Sequence, residues 1–333
     1  MFDRKISVSG EGTGRRPETR GFEAAYHRLL GTGELAERAG MAAQHLEDCD
    51  LCARYCRINR RQTVRGAVCR TGSRAIVHSY GPHHGEEDCL RGWRGSGTIF
   101  LSHCNLRCVF CQNWEISWKG GGEEVTDGAL AAIMLRLQEQ GCHNINFVSP
   151  SHVIAQILAA VSIAAERGLT LPLVYNTGGY DSPEALALLD GVIDIYMPDM
   201  KYGDSAMAKT HSHIKDYVKF NQAAVKEMHR QVGDLTFDED GLARRGLLVR
   251  HLVLPNRISG TEEIVKFLVE EISPECYLNL MDQYRPCFKA GDYPGIDRSL
   301  GAAEYSEALA FTRRYGLQRL DRRTAAGWLA FRQ

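Results

Sequence analysis

Three cysteines fall within eight residues of one another: Cys104, Cys108 and Cys111, in the segment SHCNLRCVFCQNWE at 102–115. Thiolates at this spacing wrap one compact centre, and soft sulfur ligands select iron–sulfur clusters or zinc over hard ions. Three protein ligands leave one corner of the centre open, which is what a catalytic metal keeps and a structural metal fills. A zinc site completed by His103 is the competing reading of the same residues.

Four further thiols, Cys49, Cys52, Cys56 and Cys69, lie in CDLCARYCRINRRQTVRGAVC with two, three and twelve intervening residues. Four thiols close a tetrahedral zinc site or hold a cluster, and the spacing does not decide between them. Arg54, Arg57, Arg60, Arg61 and Arg65 run through the same stretch. They suit an acidic partner, an electron-donor protein or nucleic acid, or else form a solvated basic face that balances thiolate charge. Cys89 follows a histidine-rich segment with His78, His83 and His84, candidates to shield a cluster or meet substrate, and Cys287 sits in QYRPCFKAGDYPG, where a hydrogen-donating thiol competes with ordinary packing. Cys142 and Cys276 are scattered.

The elements that must position these thiols are legible from periodicity. Apolar runs at 97–104, 143–150, 171–178, 191–199, 246–255 and 276–284 read as buried strands. Between them lie TDGALAAIMLRLQEQG, SHVIAQILAAVSIAAERG, SPEALALLDG, DYVKFNQAAVKEMHRQVG and GTEEIVKFLVEEIS, apolar at three- and four-residue intervals, with capping residues near their starts and Gly often at their ends. A last helix is expected at about 303–315. Six β–α repeats argue for an α/β fold, a parallel sheet with helices outside, closed or partly closed into a barrel. Reacting groups in such folds sit on loops leaving the C-terminal strand ends, and Cys104 falls at the end of the first strand.

With 333 residues, 44% of them hydrophobic and 24% charged, the chain can bury a full core. A net charge of −1 gives no global field to recruit nucleic acid or an anionic membrane. No run approaches the ~18 apolar residues of a membrane span, and the first residues lack the apolar segment of a leader, so a cytoplasmic protein is expected. In that compartment eleven cysteines point to metal or redox chemistry rather than to a disulfide framework. The expected organisation is an N-terminal tail and helix at 1–40, a small cysteine-rich metal-binding module at 41–95, a barrel at 96–320 and a C-terminal extension at 321–333. Irregular stretches at 203–217 and 284–300 leave the strand-exit side, where loops carry function.

Polar residues gather at the other strand ends: Ser149-Pro150-Ser151-His152, Asn176-Thr177-Gly178-Gly179, Met197-Pro198-Asp199-Met200-Lys201, Arg250-His251 and Asp282-Gln283-Tyr284. A charge inside a buried strand needs a partner, so Arg250 either pairs with Asp194 or Asp199 inside the barrel or meets a ligand. Asn176 would otherwise cap a turn and His152 a helix, while Trp114 and Trp118 suit packing.

The motif Cys104-x3-Cys108-x2-Cys111, with Phe110 before the last cysteine, resembles the signature of radical S-adenosylmethionine (SAM) enzymes. That resemblance implies a partial (β/α)6 barrel in which the three cysteines hold a [4Fe–4S] cluster. The open iron would chelate SAM, whose reductive cleavage gives a 5′-deoxyadenosyl radical that abstracts hydrogen, with Phe110 near the adenine. Within the superfamily, residues 45–320 most resemble pyruvate formate-lyase activating enzymes, oxidoreductases whose substrate is a glycyl residue of a partner protein and whose electron donor is reduced flavodoxin or ferredoxin. By that similarity Ser149–His152 replace a Gly-Gly-Glu segment that binds the SAM amino group, making Ser149 and Ser151 its candidates. Asn176, Thr177, Met197 and Asp199 match positions near a small cation and SAM, Asp199 and Lys201 stand as an Asp-x-Lys pair, and Arg250 is a candidate for the SAM carboxylate. Alternative readings are radical modification of a peptide or small metabolite, and a non-enzymatic zinc-binding interaction protein.

Overall fold

The computed structural model describes residues 22–321; the expected tail through residue 21 and the extension from 322 lie outside the described residues. Two helices, α1 (Tyr26–Thr32) and α2 (Glu34–Gln44), precede the cysteine-rich stretch, which carries one strand, β1 (Ala75–His83), and the short α3 (Asp88–Arg91). Strands and helices then alternate: β2 (Ser96–Leu101), a short β3 (Glu123–Val125) and α4 (Asp127–Glu139); β4 (Ile145–Val148) and α5 (Ile154–Glu166); β5 (Leu173–Thr177) and α6 (Pro183–Leu188). After β6 (Ile195–Pro198) come α7 (Ser205–Ser212) and α8 (Tyr217–Val232), then β7 (Thr236–Phe237), β8 (Ala243–Leu252), α9 (Thr261–Phe267), β9 (Tyr277–Met281) and α10 (Ala302–Tyr315).

Strands β2, β4, β5, β6, β8 and β9 pair in that order, all parallel, and they are the six runs expected from periodicity. Their register steps every strand in the same direction, so all six C-terminal ends open on one face. Among the described residues no ladder joins β9 back to β2, which makes the barrel a partial one. Near that seam Asn279 on β9 donates to Glu87, just ahead of α3, at 2.8 Å.

Sequence chemistry accounts for these elements. Strands β4, β5 and β6 are buried on nearly every residue, as parallel strands covered on both faces must be. Thr126 caps α4, Ser182 caps α6 with Pro183 following, and Asp204 caps α7, each accepting from a backbone N–H of the first turn. The outer helices bury Leu130, Met134, Ile157, Val161, Val225 and Met228 against the sheet. Below the strand starts, the carboxylate of Asp194 accepts from Ala25 N and Leu173 N, each at 2.9 Å, tying the chain ahead of α1 to β5. Burial pushes that carboxyl up to about 7.

Two segments depart from the sequence reading. Residues 75–83 belong to the expected cysteine-rich module but pair with β2 as an antiparallel strand, so module and barrel share one sheet. The strand escaped notice because, held between β2 and β3 by backbone pairing, it buries only Ala75 and Val77 and leaves His78, Ser79 and Tyr80 exposed, which erases the alternation. Residues 203–217, expected to be irregular, contain α7, a short helix set by its Asp204 cap rather than by an apolar stripe. No helix among the described residues is long and apolar enough to cross a membrane.

Candidate active site at the strand ends

Cys104, Cys108 and Cys111 stand on the loop leaving β2, and backbone bonds stitch that loop to the exits of two other strands. Val109 N donates to the carbonyl of His211 at the end of α7, and Lys289 N, beyond β9, donates to Val109 O, each at 2.9 Å. Asn105 donates to Tyr180 O at 2.7 Å and Trp118 Nε1 to Cys108 O at 3.1 Å, so the loop is held at both ends. Phe110 is buried beneath it, edge-on to Tyr202 and Tyr284, with ring centroids 6.4 and 6.0 Å away.

The three thiols line one cavity of about 140 Å³ together with Ser149, Asn176, Thr177, Asp199, Lys201 and Arg250, the ends of β4, β5, β6 and β8. Two of the sulfurs have a hydroxyl beside them. Ser212 Oγ donates to Cys108 Sγ at 3.0 Å and Ser117 Oγ lies 3.1 Å from Cys111 Sγ, while Leu106 N donates to Cys104 Sγ at 3.4 Å. Burial pushes the Cys104 thiol up, and the Cys108 thiol up to about 12, so these groups are protonated until a metal displaces the proton. Among the described residues no three His, Cys, Asp or Glu side chains are placed to hold a single ion. Three soft thiol donors that share one cavity suit an iron–sulfur cluster, in which each sulfur takes a different iron.

The opposite wall is an ionic network. Asp199 Oδ1 accepts from Arg250 Nε at 2.9 Å, and its Oδ2 lies 2.5 Å from Lys201 Nζ. Arg250 Nη2 also donates to Asn176 Oδ1 at 2.9 Å, and its Nη1 lies 3.9 Å from Glu86. Burial alone would raise the Asp199 pKa; the cations of Arg250 and Lys201 outweigh it and hold the carboxyl below its usual value. Arg250 thus has the intrabarrel partner that its place in a strand demanded, and that partner is Asp199 rather than Asp194. Beneath the wall, His251 lies fully buried between Met200 O at 2.5 Å and Thr261 Oγ1 at 2.9 Å. Gly179, at φ +74°, permits the close approach of β5's exit to Asp199, since a side chain there would strike the Asp199 carbonyl and the Asn221 amide.

The other expected residues are placed as follows. Ser149 reaches the cavity from a left-handed backbone at φ +61°. Ser151 is buried and bonded to Thr177 at 2.9 Å, and Thr177 in turn donates to Asp181 at 2.7 Å. His152 is buried, with Nε2 on Ser102 O at 3.1 Å. Trp114 stacks on Phe288 at 5.1 Å, with Trp118 beside the same ring, a packing role at the cavity rim. Cys89 packs with Val174, Ile195 and Tyr277 in the lower barrel, away from the thiol loop. Arg57 pairs with Asp48 and Asp50, Arg61 with Glu47, and Arg60 is buried, so much of the basic stretch is internally balanced. Sequence reasoning missed Ser117 and Ser212; the signal available for Ser212 was its place in a long exit loop.

A model of the radical SAM superfamily matches residues 98–242. An uncharacterized protein of Methanocaldococcus jannaschii is 32% identical over 293 residues, covering 83% of this chain and 78% of that protein. A solved radical SAM methyltransferase from Sphaerobacter thermophilus aligns over 66% of this chain and 64% of its own, with 15% identity and a TM-score of 0.44. The Streptococcus suis protein SuiB, bound to precursor peptide SuiA, aligns over 64% of this chain and 44% of its own, with 13% identity and a TM-score of 0.43. The chain spans less than two thirds of the length of either solved structure.

Proposed function

From the membership of this chain in the radical SAM superfamily, we propose that it binds a [4Fe–4S] cluster on Cys104, Cys108 and Cys111 and reductively cleaves SAM in the cavity they line. When bound, the cluster supplies the electron that splits SAM into methionine and a 5′-deoxyadenosyl radical able to take hydrogen from a substrate. The observation that carries this reading is one cavity with three thiols on one wall and the Arg250–Asp199–Lys201 network on the other.

The chain's residues have distinct tasks. Asp199 and Asn176 fix the fork of the Arg250 guanidinium, which with Lys201 offers cationic charge for the SAM carboxylate. Ser117 and Ser212 direct hydroxyls at the sulfurs of Cys111 and Cys108, a placement that tunes how readily a bound cluster accepts an electron. Phe110 stiffens the loop from below.

We extend the proposal to the substrate: hydrogen is taken from a glycyl residue of a partner polypeptide, with reduced flavodoxin or ferredoxin as donor. Anaerobic reconstitution with iron and sulfide should give a species absorbing near ~400 nm, and reductant plus SAM should yield 5′-deoxyadenosine. Cys108→Ala should abolish both; turnover that survives it removes Cys108 from its role. Deuterium passing into deoxyadenosine from a glycine-labelled polypeptide identifies the substrate class, and transfer only from peptide side chains or a small metabolite would replace the glycyl reading.

A further inference from the structure

One buried acid beside the cavity has no cation. Asp181, in the loop leaving β5, is fully buried, and among the described residues no Lys, Arg or His charge acts on it. Its partners are hydroxyls. Tyr175 Oη donates to Oδ1 at 2.8 Å and Thr177 Oγ1 to Oδ2 at 2.7 Å, so both oxygens accept, as those of an ionised carboxylate must. Burial pushes the carboxyl up from its ordinary value, and the hydroxyls of Ser151, Thr177 and Tyr175 pull against that rise. An anion kept so deep without a counter-charge is destabilising unless something else draws on it.

The chain of bonds from Asp181 leads to the cavity. Thr177 gives its only proton to Asp181, so Ser151 is the donor in the 2.9 Å contact between the two hydroxyls, and Gly179 N donates to Thr177 Oγ1 at 3.1 Å. Ser151 lies two residues beyond Ser149 in the exit of β4, and Ser149 N donates to Asn176 O at 2.9 Å, which locks that exit to β5. Ser149, Asn176 and Thr177 line the cavity, while Ser151 and Asp181 stand behind that wall. Arg250 and Lys201 line the same cavity and share Asp199, so the acid within the cavity is already paired with cations and the acid behind Thr177 is not.

We propose that Asp181 is a positioning residue which, acting through Thr177 and Ser151, makes the β4–β5 side of the cavity the seat of the SAM ammonium group, while Arg250 and Lys201 face the carboxylate. This rests on the proposed function, because it assigns the second charge of a zwitterion whose first charge that reading already places. A wall of hydroxyls is neutral by itself; a carboxylate one hydrogen bond behind it lends the wall a negative potential, which a water-poor site does little to screen. Asp181 also fixes the direction of the hydroxyl chain, leaving Ser151 an acceptor towards its other neighbours.

The test is calorimetric binding to anaerobically reconstituted protein with two probes, SAM and its deaminated analogue, which keeps the sulfonium, the adenosine and the carboxylate but has no ammonium. Asp181→Asn should raise the Kd for SAM by roughly tenfold and leave that for the analogue within about twofold, at unchanged iron content. Equal weakening of both probes marks a merely structural residue and overturns the proposal, as does unaltered SAM affinity. Thr177→Val keeps Asp181 and cuts the bond that joins it to the cavity wall, so it should reproduce the selective loss. Should Asp181→Asn fail to fold, Thr177→Val decides alone, and an equal effect on both probes, or none, overturns the proposal. A reconstituted wild type that binds neither probe refutes the proposed function and this inference with it, whereas a wild type that binds SAM with no regard to either substitution refutes the inference and spares the function.

Discussion

Replacing Asp199 by Asn removes a carboxylate that two buried cations share while keeping its shape. Arg250 lies 2.9 Å from one oxygen and Lys201 2.5 Å from the other, and all three side chains are largely shielded from solvent. At an effective dielectric of about 20 and such distances, each contact contributes roughly 5 kcal/mol of attraction, much of it offset by desolvation. Removing one member of a buried set leaves uncompensated charge, and here Arg250 and Lys201 would face each other with Glu86, 3.9 Å from the guanidinium, and Glu87 as the remaining nearby anions. The expected loss is about 3–5 kcal/mol. With a slope of about 3 kcal/mol per molar urea, the unfolding midpoint falls by about 1–1.7 M. The folded-state pKa of Asp199 is depressed, so its contribution is fully present above the unfolded value of 3.8 and is lost as pH falls through the folded value; the gap between wild type and variant should therefore stay constant from pH 5 to 8. Equilibrium urea unfolding of metal-free protein measures both. A midpoint within about 0.2 M of wild type would show that the network is not charge-coupled and would withdraw its role in orienting Arg250.

Other outcomes follow from the same geometry. Ser212→Ala deletes the hydroxyl that donates to Cys108 Sγ and should make the cluster potential more negative, read by spectroelectrochemical titration with iron content unchanged. His152 and His251 are held neutral by burial, at about 3 and about 4, against about 6.5 in an unfolded chain. Below pH 6.5 the unfolded chain takes up protons that the folded one refuses, so stability should fall by on the order of 3 kcal/mol per ring as pH drops toward 4; a flat urea midpoint across that interval contradicts this. Gly179→Ala forces a side chain into the Asp199 carbonyl at φ +74° and should cost about 1–3 kcal/mol in thermal or urea unfolding, together with SAM affinity.

The barrel was readable because its strands are buried on both faces and its helices carry apolar residues at helical spacing, signals independent of tertiary detail. Cys104, Cys108 and Cys111 were readable because thiols are rare and their spacing is local. The partner of Arg250 was not, since Asp194 and Asp199 flank β6 at opposite ends and only the register of β6 on β8 sets Asp199 beside Arg250; Asp194 turns instead to Ala25 and Leu173. The hydroxyls beside the thiols were equally hidden, because a serine carries no periodic or compositional signal and Ser212 lies far from Cys108 in the chain. Strand β1 was missed because its ladder to β2, with a shorter one to β3, holds it, with few buried side chains to betray it.

That ladder bears on how the chain can be divided. A cut between residues 95 and 96, where composition alone suggests a joint, would strip β2 of its antiparallel neighbour and bare a row of unpaired amides from Ser96 to Leu101. Such an edge invites pairing with other molecules, so the severed C-terminal piece should aggregate rather than stand as a minimal catalyst. Any tightening of the N-terminal region is also handed directly to the strand whose last turn carries Cys104.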